Sequence, residues 1–141
     1  MTTATQIGER LNEAMARGDL EAVVGQYAPD AVMVGPEGTF RGAEQIEEYW
    51  RAFLNAFSDI EVAPLARIDG GETAVEEWTV TATHSGPLDV LGAEPIPATG
   101  RRLSVRGVDV VAAREGRIVE HRIYWDQMEL AGQLGLAPAA A

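Results

Sequence analysis

A chain of 141 residues, 46% hydrophobic and 23% charged, can bury one substantial core and reads as a single domain over 1–136 followed by a flexible tail at 137–141. Eleven Lys and Arg against 22 Asp and Glu leave a formal net charge of -11, which repels phosphate backbones and anionic lipids and argues against nucleic acid or membrane partners. Without cysteine there is no disulfide, thiolate nucleophile or cysteine–zinc site, and "MTTATQIGER" lacks the apolar core of a signal peptide, so the expected location is cytoplasmic.

Ile7, Leu11, Ala14 and Met15 recur at helical spacing, and Gly18 ends that helix. Asp19 caps a second helix carrying Leu20, Val23, Val24 and Tyr27, which Pro29 stops. "AVMVGPEGTFRG" reads as a short strand and a turn. "AEQIEEYWRAFLNAF" then places Ile46, Tyr49, Trp50, Phe53, Leu54 and Phe57 on one helical face, as core and pocket wall together. From residue 60 the period becomes two. "IEVAPLARI", "TAVEEWTVTATH", "RRLSVRGVDVVAA" and "RIVEHRIYW" alternate, with "DGGE" and "REGR" as turns. Three helices before a mainly antiparallel sheet make an α+β fold, whose natural ligand cavity lies between helices and sheet.

If Arg114, Glu115 and Gly116 form a three-residue loop, Ala113 pairs with Arg117, and the same register sets Val111 opposite Val119, Asp109 opposite His121, Gly107 opposite Ile123 and Val105 opposite Trp125. This face is apolar except for one Asp and one His. A two-residue loop would break that coherence. A carboxyl and an imidazole on an apolar wall can do acid/base work without a metal or cofactor, since burial disfavours either charge alone while attraction favours both. A satisfied polar pair in the core is the competing reading. His84 shares the parity of Trp78, Val80 and Ala82 and could reach the pocket mouth, though a solvated strand-end position fits the sequence better. The paired ligand spacing of zinc motifs is absent, so no metal is expected.

Asp126 opens "DQME", a capping box in which it accepts from the backbone N–H near Glu129 while Glu129 reaches back. Its parity places it opposite Ser104, away from Asp109. Leu130, Leu134 and Leu136 in the following helix would close the open end of the fold. On the outward face of the last hairpin, Val108, Val110, Ile118 and Tyr124 offer more apolar surface than a solvated sheet usually shows, as a homodimer interface would.

"ARGDLEAVVGQYAPDAVMVGPEGTFRGAEQIEEYW", "EWTVTATHSG", "PATGRRLSVRGVDVV" and "GRIVEHRIYWDQMELAGQLG" together resemble the nuclear-transport-factor-2-like superfamily, and within it the SnoaL-like polyketide cyclases, over nearly the whole chain. The resemblance implies a cone-shaped curved sheet with three N-terminal helices enclosing an apolar pocket, commonly dimeric through the outer sheet face. Ketosteroid isomerases are similar in "GDL...YAPDA" and "GVDVV...GRI". Their oxyanion-hole aspartate falls on Asp109, whereas their base and oxyanion-hole tyrosine fall near Gly35 and Leu11. Limonene epoxide hydrolases are similar too, but their terminal-strand aspartate falls on Ile123, and no Arg stands two residues before Asp109. SnoaL-like cyclases pair an aspartate near the end of the last strand with a histidine, for which Asp126 is a match; if position 123 is the equivalent, Asp109 and His121 remain.

The resulting expectation is acid/base, enolate-type cyclisation or isomerisation of an apolar carbonyl or polyketide-like compound. His121 would move the proton, Asp109 would donate to the oxyanion or orient the imidazole, and Asp126 stands as a further candidate. Trp50, Trp78, Val105, Ile123, Trp125 and His84 would bind the substrate. The alternative is a non-catalytic binding or dimerisation module of the same fold.

Overall fold

A computed structural model describes residues 2–89 and 94–136. The expectation for 137–141 lies outside them. The order is α1 (Ala4–Arg17), α2 (Leu20–Val24), β1 (Tyr27–Gly35), β2 (Gly38–Arg41), α3 (Gly42–Ala56), β3 (Phe57–Asp69), β4 (Thr73–His84), β5 (Arg102–Arg114), β6 (Arg117–Trp125) and α4 (Gln127–Gln133).

α1 begins at a complete capping box on Thr3 and ends where Gly18 adopts φ 68° and returns its N–H to Ala14 and Met15 carbonyls. Asp19 then caps α2 by accepting from the Ala22 N–H. The second helix is shorter than its apolar pattern suggests. It closes at Gly25, whose N–H bonds the Glu21 carbonyl, and Tyr27 already belongs to β1. Pro29 therefore sits inside a strand, where pairing with β6 slips between Tyr27 and Val32. A residue without an N–H is tolerated at such a bulge.

The six strands form one curved, open sheet in the order β2-β1-β6-β5-β4-β3, antiparallel except where β1 runs parallel to β6. α1 and α3 lie against one face, and their buried residues Ile7, Leu11, Ile46 and Trp50 meet Met33, Val111, Ile118 and Ile123 of the sheet. This is the curved, open α+β sheet roofed by helices that the sequence pattern implied. No helix among the described residues is long and apolar enough to cross a membrane.

The final hairpin departs from the expected register. Its loop has two residues, Glu115 (φ 53°) and Gly116 (φ 78°), with Arg114 opposite Arg117. That left-handed pair fits the twist of the flanking strands. A bulge between Ala112 and Ala113 then shifts the pairing, so Val111 faces His121, Asp109 faces Ile123 and Gly107 faces Trp125. A two-residue loop and one bulged position restore the original parity, so the faces survive although the partners move by two. The bulge has one visible cost to the expected outer face. Ile118 pairs with Ala113 and is fully buried, leaving Val108, Val110 and Tyr124 outside.

α4 docks by hydrogen bonding more than by apolar burial. The Gln133 side chain accepts from the Ser104 N–H (2.7 Å) and donates to the Ser104 carbonyl (2.6 Å), standing in for a strand where β6 has ended. Leu134 is buried and Leu130 partly so, but Leu136 is 49% exposed and takes no part in closure.

Candidate functional site

The concave face can be followed in rows across the strands. Met33, His121, Val111 and Ala74 make one row; Ile123, Asp109 and Glu76 belong to the next; Trp125, Gly107 and Trp78 follow. Asp109 and His121 are therefore diagonal neighbours. His121 Nε2 and Asp109 Oδ2 lie 2.9 Å apart, the imidazole fully buried and the carboxyl side chain 15% exposed. A diagonal pair of long side chains can bridge this gap as well as a directly opposed one.

The imidazole's other nitrogen is also engaged. Tyr27 Oη lies 2.8 Å from His121 Nδ1 and accepts from Trp50 Nε1 at 3.1 Å. Burial holds the Tyr27 phenol well above its ordinary pKa, with the nearby Asp109 charge adding to the effect and the Trp50 hydrogen bond opposing it. The phenol thus stays protonated and donates to Nδ1. That leaves the ring proton on Nε2, directed at Asp109. The chain Trp50–Tyr27–His121–Asp109 fixes both the tautomer and the carboxyl orientation. Its Tyr27 member was read as the end of a helix; the signal that could have revealed it is Gly25, which stops α2 before "YAPDA".

Asp109 borders a crevice of about 20 Å³ beneath α1, with Thr5, Asn12, Arg67 and Glu76 among its walls. Glu76 is the direct cross-strand partner of Asp109. It accepts from Asn12 Nδ2 (2.7 Å) and from Arg67 Nε (2.7 Å), and this carboxylate contact raises the pKa of the Arg67 guanidinium. The crevice has room for about one water molecule.

The expected pocket wall gathers on the concave face. Gly107 sits between Trp78 and Trp125, and a β-carbon there would come within 2.5 Å of the Trp78 indole, so the missing side chain is what lets that ring lie across the sheet. Val105, opposite Val80, continues the wall. Trp50 hangs from α3 in edge contact with Tyr49 and Phe53, and Phe53 in turn meets Phe57. These rings line the side of the cone where the cavity was expected. Two hollows among the described residues lie elsewhere, under α1 and at the outer junction of β1 with the last hairpin.

His84 and Asp126 stand apart from this group. His84 is fully buried, contrary to the expected solvated position, because the segment after β4 folds over it. The Thr99 N–H donates to Nδ1 at 3.2 Å, the Thr99 hydroxyl lies 2.9 Å away, and Gly100 N–H bonds the His84 carbonyl. Burial lowers the imidazole pKa, and a backbone bond to Gly86 partly offsets this. Asp126 is exposed and accepts from the N–H groups of Met128 (2.9 Å) and Glu129 (3.4 Å) as the cap of α4. The returning half of the expected capping box is replaced by a contact of Glu129 with Arg106 Nε at 3.4 Å. Among the described residues no three His, Cys, Asp or Glu side chains cluster as a metal site requires.

A curved open sheet roofed by helices, with polar groups buried on its concave side, defines an NTF2-like cone. The family model for the SnoaL-like domain matches residues 9–121, and the chain belongs to that family. Similar solved structures include IdmH from Streptomyces antibioticus, a candidate polyketide cyclase, at 28% identity over 95% of this chain and 99% of that one, with a TM-score of 0.77. TsrD from Streptomyces laurentii is 27% identical over 94% of each chain, TM-score 0.77. AclR from Streptomyces galilaeus, a candidate hydroxylase, is 24% identical over 96% of this chain and 97% of that one, TM-score 0.80. Among curated proteins nothing matches.

Proposed function

We propose that this SnoaL-like domain binds an apolar carbonyl compound and promotes its enolisation, towards cyclisation or isomerisation. The observation that carries the reading is the buried chain Trp50–Tyr27–His121–Asp109, which ends on a carboxyl group at the edge of an apolar wall. Such a chain constrains one group strongly. Both nitrogens of His121 are already engaged by Tyr27 and Asp109, so its role is to position Asp109 rather than to meet a ligand. In its protonated form Asp109 keeps Oδ2 on His121 and offers Oδ1–H to a developing oxyanion, where an apolar setting makes a fixed donor count for more than it would in water. This assignment moves the reactive role from the imidazole to the carboxyl. The likeness to IdmH, a candidate polyketide cyclase, supports a carbonyl substrate.

The test uses 2-tetralone, an apolar bicyclic ketone, in deuterated buffer, with loss of its α-proton signals followed by NMR. Wild-type protein should accelerate exchange, and Asp109→Asn should slow it by about a hundredfold or more, the usual scale for a positioned acid/base group. Quenching of tryptophan fluorescence by the ketone should persist in the variant. Binding without exchange above the buffer rate would instead favour the second reading, a non-catalytic binding module.

A further inference from the structure

The enolate reading needs a proton acceptor with an uncommitted atom, and both ring nitrogens of His121 are taken. Besides Asp109 and Glu76, a further carboxylate with one buried oxygen lies on the same concave face. Glu37, in the turn between β1 and β2, folds its side chain back over Gly35, so that Oε1 lies 2.8 Å from where a β-carbon of residue 35 would stand. Gly35 shares the inward parity of Met33, which faces His121, and the same β-carbon position is 3.9 Å from the Ile123 carbonyl oxygen. The carboxylate therefore sits inside the cone, beside Ile123. Any larger residue at position 35 would expel it.

The two oxygens of Glu37 differ. Oε2 accepts from Tyr49 Oη at 2.7 Å, and burial together with the Glu37 charge holds that phenol well above its ordinary pKa, so it remains a donor. Oε1 is buried and has no hydrogen-bond partner among the described residues. A carboxylate oxygen left without a donor away from water is costly, and folded proteins retain few such groups. A ligand proton arriving at Oε1 would relieve that cost. Tyr49 and Trp50, consecutive on α3, thus anchor two separate carboxyl systems, Tyr49 directly on Glu37 and Trp50 through Tyr27 and His121 on Asp109.

The placement also has the right span. Across the sheet the order is Gly35 on β1, Ile123 on β6 and Asp109 on β5, so the outer two backbones are two strand spacings or about 10 Å apart. An α-carbon and its carbonyl oxygen, flanked by one hydrogen-bond distance on each side, fill roughly 8 Å, a span that side chains leaning inward from the two strands can close on. A ketone lying over Ile123 would have its α-C–H at one end and its oxygen at the other.

We propose that Glu37 is the proton acceptor of this site, acting opposite Asp109; this rests on the enolate reading. Glu37 Oε1 takes the α-proton as the C–H bond breaks, the electron pair enters the enolate C=C bond, and the carbonyl π pair moves to the oxygen held by Asp109. Where the ketone carries a β,γ double bond the product is a dienolate: the oxygen pair re-forms the carbonyl, the double bond shifts into conjugation, and the γ-carbon takes the proton back from Glu37, giving isomerisation. In cyclisation the enolate carbon adds to a second carbonyl of the substrate and the proton goes to the new alkoxide. No oxidant, reductant or cofactor is required for either balance.

The experiment compares wild type, Glu37→Gln and Asp109→Asn in the 2-tetralone exchange assay across pH, with melting curves to verify folding. Glutamine keeps an amide oxygen for Tyr49 but cannot take a proton. Glu37→Gln should lower kcat for exchange by about a hundredfold with KM within about twofold of wild type. Exchange by Glu37→Gln at the wild-type rate, while Asp109→Asn is impaired, would make the Glu37–Tyr49 pair a structural clasp and overturn the proposal without touching the enolate reading. A rise in KM alone would reduce Glu37 to a ligand anchor and overturn it equally. Absence of exchange in the wild type would show that the enolate reading itself had failed, and the proposal with it.

Discussion

Asp109 and Asp126 carry the same carboxyl group in opposite surroundings, one on a buried relay and the other at an exposed helix start. Asp126→Ala should cost about 1 kcal/mol of stability in urea unfolding, the usual worth of an N-cap, and leave ketone exchange intact at temperatures where the protein is folded. Loss of exchange with an unchanged melting temperature would transfer the catalytic role to Asp126. His84 makes a separate, pH-dependent prediction. Its folded-state pKa is lowered by burial, so the unfolded chain binds a proton more readily. The stability held by the neutral ring is fully present above its unfolded pKa of about 6.5 and is lost as pH falls through that value towards the folded one. His84→Asn retains an acceptor near Nδ1 without a titrating group. Its melting temperature should be lower than wild type at pH 7.5, yet fall less between pH 7.5 and 5.

At the scale of elements, the β5–β6 hairpin decides which side chains meet. Glu115 holds φ 53°, a left-handed conformation that disfavours most residues with a β-carbon, whereas Gly116 beside it accepts φ 78° freely. Asparagine tolerates this region better, and Asn-Gly is the preferred pair for such a loop. Glu115→Asn should therefore stabilise the protein by about 0.5–1 kcal/mol in chemical denaturation, by easing backbone strain of roughly 1–2 kcal/mol in part. Because the turn then favours the observed two-residue loop even more, ketone exchange should be unchanged. A destabilised variant would mean that the Glu115 side chain contributes something beyond the turn.

For the whole molecule, the convex sheet face is the unresolved surface. Tyr124 is 58% exposed, Ile68 67% and Val34 36%, and Val108 and Val110 lie between them on β5. This apolar stripe crosses the sheet opposite the helices, with Arg122 among it. A two-fold pairing of these faces would remove it from water. Light scattering at micromolar concentration is expected to give twice the 15.1 kDa chain mass, and Tyr124→Arg should shift the population towards monomer. A wild-type mass of one chain would defeat the dimer.

Much of this architecture was legible in the chain itself. Helical spacing from Ile7 to Met15, the Asp19 and Asp126 caps and the alternation from residue 60 onward are local features, and each is set by side-chain period and nearby backbone donors. Alternation also placed Asp109 and His121 on one face, because a shift of two residues leaves parity unchanged. For the same reason alternation could not locate the bulge that buries Ile118 and turns a direct pair into a diagonal one. Only the tertiary structure decided the polar partners. Tyr27 meets His121 across 94 positions, and Glu37 reaches Tyr49 from a turn whose sequence, "GPEG", reads simply as a loop. Period and propensity say which way a side chain faces; which buried donor it finds depends on how separate elements pack, and that is fixed by the fold as a whole.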